Sequence, residues 1–217
     1  MRTKFLKYTL IIALIIASCS CSQVDDIIIE EPLKVSTIGD SRFVCCGADV
    51  LRKELDSLGT YNIVGSLTDA QGYKHDAIGG DTTENVLNRL INVPEADVYV
   101  IHLGTNDLKS IMNESKSNMV TIIETLLSRG GKVLFAKQVE RNDHNLEFPF
   151  TNKHYELDSY VIDYFNNNPN FDYVDLRLAL LNEDESFNWS LYADHVHPNE
   201  EGAKLMALAI HNKLKKY

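Results

Sequence analysis

A hydroxyl, an imidazole and a carboxylate stand at positions that suit acyl transfer: Ser41 follows Gly39-Asp40, and His197 lies three residues beyond Asp194. Acyl transfer needs a nucleophile, a base for its proton, a group that orients the base, and donors for the oxyanion. Ser41 is the candidate nucleophile and His197 the candidate base. One turn can set the Asp194 carboxylate against the other imidazole nitrogen, which fixes the tautomer and stabilises the imidazolium. Pro198 then pre-sets the start of a helix. Two more polar stretches lack an obvious packing role: Ala77-Ile78-Gly79-Gly80-Asp81-Thr82-Thr83 and Gly104-Thr105-Asn106-Asp107. A metal reading competes, because His195 and His197 would share one face of a strand. Catalytic zinc usually takes three protein ligands, and no third stands at a matching spacing. His75, His102, His144 and His154 are scattered, and His102, at the end of an apolar run, reads as a core histidine.

These groups need elements to hold them. Leu33 to Ile38 reads as a strand stopped by Gly39, which puts Ser41 where a parallel strand hands over to a helix. A helix pattern through Val50, Leu51, Leu55 and Leu58 follows, with Asp49 as N-cap and Gly59 as its end. Tyr61 to Gly65 reads as a second strand and Ser66 to Gly80 as a loop. Asp81 or Thr82 caps a helix through Ile91. The strand Ala96 to Leu103 leads into Gly104-Thr105-Asn106-Asp107, and a helix over Ser115 to Ser128 follows. Lys132 to Ala136 is a strand, Lys137 to Phe150 a polar loop, Lys153 to Phe165 a helix, Phe171 to Leu176 the last strand. Leu180 to Ala193 connects to a final helix, Glu200 to Leu214. Alternation of strand and helix, repeated about five times, predicts a three-layer α/β/α sandwich around a doubly wound, mostly parallel sheet of about five strands.

Taken in order, Gly39-Asp40-Ser41, the Gly79-Gly80 block, Gly104-Thr105-Asn106-Asp107 and Asp194-His195-Val196-His197-Pro198 resemble the four blocks of the SGNH hydrolases, the GDSL-type esterase superfamily. The match spans nearly the whole mature chain. Tyr61 to Leu67, Gly72-Tyr73, His75 and the Gly-Gly-Asp-Thr-Thr run look like the carbohydrate-esterase branch that holds the acetylxylan esterases. The resemblance implies a Ser41–His197–Asp194 triad. It also implies an oxyanion hole from the Ser41 and Gly80 backbone N–H groups and the Asn106 side chain, with Gly79 as the fallback for Gly80. It implies no metal and no cofactor. The chain departs from the family pattern at Arg42-Phe43-Val44-Cys45-Cys46, where a small flexible segment is usual, and at His195, where glycine is usual. Asp40 reads as a turn or cap residue, Asp107 as a loop organiser, and Trp189 as packing or the lining of a sugar subsite. The adjacent Cys45 and Cys46 read as buried small hydrophobes.

The N-terminus reads as a leader. Arg2, Lys4 and Lys7 precede an apolar run too short to span a bilayer. Ile16-Ala17-Ser18-Cys19 looks like a bacterial lipobox, which implies cleavage before Cys19 and lipidation of its thiol. An ordinary secretory signal or an uncleaved anchor is the alternative. The domain expectation is therefore a lipoprotein signal peptide over 1–18, an acidic tether over 19–32 and a hydrolase domain over 33–217. The 217 residues carry a net charge of −10, which disfavours nucleic acid and anionic lipid surfaces as partners. Oligomeric state is not written in the residues. The expected protein is a lipid-anchored cell-envelope serine esterase that removes small acyl groups, acetyl first, from carbohydrates. A lysophospholipase or thioesterase of the same fold, or a non-catalytic glycan-binding lipoprotein, is the alternative.

Overall fold

Strand β1 (Leu33–Gly39) is the hub of the sheet, and every later element is laid against it or its neighbours. The structure, a computed structural model, describes residues 31–59, 61–109, 112–141 and 150–217. The leader, Cys19 and most of the expected tether lie outside the described residues, as does His144. The fold below is that of the unit Pro32–Tyr217. Among the described residues no helix is long and apolar enough to cross a membrane.

The strands are β1, β2 (Tyr61–Val64), β3 (Leu67–Thr68), β4 (Lys74–Ala77), β5 (Val98–His102), β6 (Lys132–Lys137) and β7 (Phe171–Asp175). They form one seven-stranded sheet in the order β3-β4-β1-β5-β6-β7, with β2 also paired to β1. Among these strands only the β3–β4 pairing is antiparallel. On the side of β1 away from β5, β2 pairs with Leu33–Ser36 and β4 with Ile38–Gly39. The expectation of about five strands was low, because the stretch Ser66 to Gly80, expected as a loop, supplies β3 and β4.

The helices are α1 (Ala48–Leu58), α2 (Thr83–Arg89), α3 (Met112–Ser128), α4 (Phe150–Phe165) and α5 (Glu200–Leu214). Successive side chains of a strand point to opposite faces, and β5 is apolar at every one of its first four positions. Val98 and Val100 pack with Leu51 and Leu55 of α1 and Met206 and Ile210 of α5. Tyr99 and Ile101 pack with Val86 of α2, Ile122 and Leu126 of α3, and Val161 of α4. The result is a three-layer α/β/α arrangement, as the alternation predicts. Asp49 lies in the first turn of α1, but Gly47 occupies the cap position and no side chain caps that helix. Thr82, not Asp81, caps α2, in a reciprocal pair with Asn85.

Candidate active site

Ser41 begins a short 3₁₀ turn at the end of β1. Gly39 is required there, because a Cβ would collide with the His102 carbonyl on β5. Asp40 caps the turn by accepting the Arg42 N–H at 3.0 Å. It is fully buried, which raises its carboxyl above the ordinary range against the pull of Arg42, Thr105 and His197. Asp40 is thus the cap residue that the sequence suggests.

His197 comes from the loop that enters α5. The Asp194 carboxylate organises this loop: one oxygen accepts the Val196 and His197 N–H groups at 2.7 and 2.8 Å, and the other faces His197 Nδ1 at 2.8 Å. Burial alone would raise the Asp194 carboxyl, but the hydrogen bonds from the His197 ring and the two N–H groups outweigh it and hold it low. With Nδ1 donating to Asp194, Nε2 is left as an acceptor. Ser41 Oγ lies 2.9 Å from Nε2. The structure therefore joins residues 156 positions apart into one chain, carboxylate to imidazole to hydroxyl.

The glycine block lies beside Ser41. Asp81 N–H donates to the Ile78 carbonyl at 3.2 Å, closing a turn with Gly79 and Gly80 at its centre. Gly80 has φ +85°, the left-handed position of a type II turn, so the backbone is what demands glycine. A Cβ on Gly79 would sit 3.8 Å from the Ser41 Cβ. The Ile78 N–H donates to the Gly39 carbonyl at 3.1 Å, so this turn and the serine turn share one anchor. Asn106 donates one amide proton to the Asp81 carbonyl at 2.9 Å. The amide carries a second proton, so bridging to the turn does not exhaust it. Asp107 is buried and accepts both the backbone N–H and the hydroxyl of Thr83, which makes it a loop organiser. Asp81 pairs with Arg89 at 2.7 Å.

A buried polar network behind the site joins Arg42, Thr105, Gln138 and Asp158, of which Gln138 and Asp158 carry no sequence signal for it. Arg42 is 1% exposed, and its Nε donates to the Val196 carbonyl at 3.2 Å, inside the His197 loop. Its Nη1 donates to Gln138 Oε1 at 3.2 Å, which also accepts from Thr105 Oγ1. The Gln138 N–H in turn donates to the buried Asp158 at 2.9 Å. Arginine is among the residues least often fully buried, so burial of Arg42 is not legible in the sequence. The expectation for the cysteines fails: Cys46 is exposed, Cys45 half-buried, and the two are joined by a disulfide. His102 is buried with its ring against Phe43, a core histidine as expected. His195 lies edge-on to Trp189, with ring centroids 6.3 Å apart, and Trp189 packs on Phe187 and Tyr192. Among the described residues the group of three metal-capable side chains that contains His197 is Cys45, Cys46 and His197, and His195 is not part of it.

A family model described as GDSL-like lipase/acylhydrolase matches residues 37–205. The chain belongs to that family. No curated protein matches the sequence. Among solved structures, a carbohydrate esterase family 3 from Talaromyces cellulolyticus aligns with a TM-score of 0.67 and 20% identity, over 85% of this chain and 97% of that one. A lipolytic protein of the G-D-S-L family from Desulfitobacterium hafniense aligns with a TM-score of 0.69 and 17% identity, over 83% and 98%. A family 3 carbohydrate esterase from Clostridium thermocellum aligns with a TM-score of 0.64 and 19% identity, over 83% and 94%. At these identities the likeness is one of fold.

Proposed function

We propose that the chain is a serine esterase that removes small acyl groups, acetyl first, from carbohydrates. The observation that carries this is the unbroken path from Asp194 through His197 to Ser41. Ser41 Oγ attacks the ester carbonyl while His197 Nε2 takes its proton. The oxyanion forms against the Ser41 and Gly80 N–H groups and the Asn106 amide. The intermediate collapses, and His197 returns the proton to the leaving sugar hydroxyl. Water then attacks the acyl-enzyme with His197 as base, which releases the acid and restores Ser41.

The carbohydrate preference rests on the resemblance of the Tyr61 to Thr83 segment and on fold relatives that include family 3 carbohydrate esterases. Trp189, 41% exposed on the loop that carries His197, offers an aromatic face beside the site. The leader points to lipidation at Cys19 and to a cell-envelope location, with residues 19–32 as the tether. Acetate release from a panel of acetylated glycans tests the substrate class, and Ser41→Ala tests the nucleophile. Wild-type turnover of p-nitrophenyl acetate by that variant refutes the mechanism. A preference for long acyl chains in a nitrophenyl ester series favours a lysophospholipase or thioesterase instead. An inert protein that still binds oligosaccharide favours a glycan-binding role. A Cys19→Ala protein that still partitions with membranes removes the lipid anchor.

A further inference from the structure

The Cys45 and Cys46 sulfurs and a ring nitrogen of His197 all lie within 4.8 Å of one another. This closeness is built into the backbone. The Cys45 N–H donates to the Ser41 carbonyl at 2.6 Å, and the chain then turns through Cys46 at φ +62° and Gly47 at φ +121°. Gly47 is wedged against the chain just past His197: a Cβ there would come within 2.6 Å of Glu200 N and 2.8 Å of the Asn199 carbonyl carbon. The cysteine turn and the imidazole loop are thus packed against each other. Cys46 is exposed, so solutes reach the cluster.

We propose that the reduced Cys45–Cys46 pair and His197 form a capture site for a thiophilic divalent cation of the zinc and cadmium kind, whose binding silences the site. The silencing rests on the esterase reading above; the capture does not. A disulfide sulfur is not a thiolate and offers no such ligand, so the bonded pair leaves His197 free to act. A small dithiol opens the pair. Two electrons and two protons pass to the cysteine sulfurs, the Cys45–Cys46 bond breaks, and the reductant closes into its own disulfide. The cation then displaces both thiol protons and forms two metal–sulfur bonds. The third bond comes from the lone pair on His197 Nε2, and water can complete the set. Tetrahedral zinc holds S and N ligands about 3.6–3.8 Å apart, a spacing the three atoms reach within their 4.8 Å span once the two sulfurs part. Asp194 already holds Nδ1–H, the outer carboxylate that metal-bound histidines use. Once Nε2 is bound to metal it can no longer take the Ser41 proton.

The test uses the full chain reduced with a phosphine, which does not compete for metal as a dithiol would. Cadmium chloride is titrated while the sulfur-to-cadmium absorption band and p-nitrophenyl acetate hydrolysis are followed. The reduced wild type should show the band and lose activity at a cadmium concentration at least about 10-fold lower than the reduced Cys45→Ser/Cys46→Ser variant needs. The unreduced protein should behave like that variant, and a chelator should restore activity. His197→Ala should weaken the band's cadmium affinity by about 10-fold or more. Equal sensitivity of the double variant, or a band unaffected by His197→Ala, overturns the proposal. A protein without esterase activity that still shows the His197-dependent band retains the site and refutes only the esterase reading.

Discussion

Around Ser41 the chain is core. Asp40 and Phe43 are fully buried, Arg42 is nearly so, and the turn leaves directly from the central strand. Around His197 the chain is surface: Asp194 and His195 are exposed, and the loop is shaped largely by hydrogen bonds of a single carboxylate. Arg42 Nε on the Val196 carbonyl and Ser41 Oγ on His197 Nε2 tie the second region to the first. The Ser41 side is therefore fixed by packing, which costs stability when it is disturbed. The His197 side is fixed by a few polar contacts, which can be lost with little effect on folding.

That contrast can be broken by measurement. His197→Ala should lower kcat by about 10⁴-fold or more while the unfolding midpoint stays close to wild type. A large loss of stability in that variant would refute the contrast. Asn106→Ala should lower kcat by about 10²–10³-fold, the usual effect of one oxyanion donor. A change confined to KM would place Asn106 outside that role. Arg42→Met should behave oppositely to His197→Ala. Breaking a buried charged network costs about 3–5 kcal/mol, and the misplaced loop should lower kcat by up to about 10²-fold with KM little changed. Denaturant unfolding and steady-state kinetics on the same preparation separate the two effects.

The smallest effect is one of pH. Burial pushes the Asp158 carboxyl up to about 7, against the Gln138 N–H, Lys137 and Arg42 and with the help of Asp175. The folded chain then binds this proton more tightly than the unfolded chain between about pH 4 and 7, so stability falls as pH rises through that window. Asp158→Asn keeps an acceptor for the Gln138 N–H. It should raise stability by about 1–4 kcal/mol near pH 8 and by less near pH 5, read from thermal unfolding at both. A gain equal at both values would locate the effect elsewhere.

The layers, five of the strands and the Ser41, Asp194 and His197 positions were legible because each rests on a local pattern. Apolar runs such as Val98–Ile101 mark buried strands, and glycine breaks mark their ends. What stayed hidden depended on tertiary partners. Strand β4 is Lys-His-Asp-Ala, which reads as a polar loop until Ser36 and Ser66 hydrogen-bond the buried Asp76. Arg42 and Gln138 sit in the interior with partners from distant parts of the chain, each other and the Val196 carbonyl, the Thr105 hydroxyl and the Leu103 carbonyl. The cysteine turn was misread because its exposure is set by two successive left-handed residues that composition does not reveal.

One carbonyl, that of Gly39, has a wider bearing. It receives Ile78 N–H, so the turn with Gly79 and Gly80 is slung from the same peptide that launches Ser41. The spacing between the Ser41 turn and the Gly80 turn is thus held through one shared peptide, whereas the loop that carries His197 is built on contacts of its own.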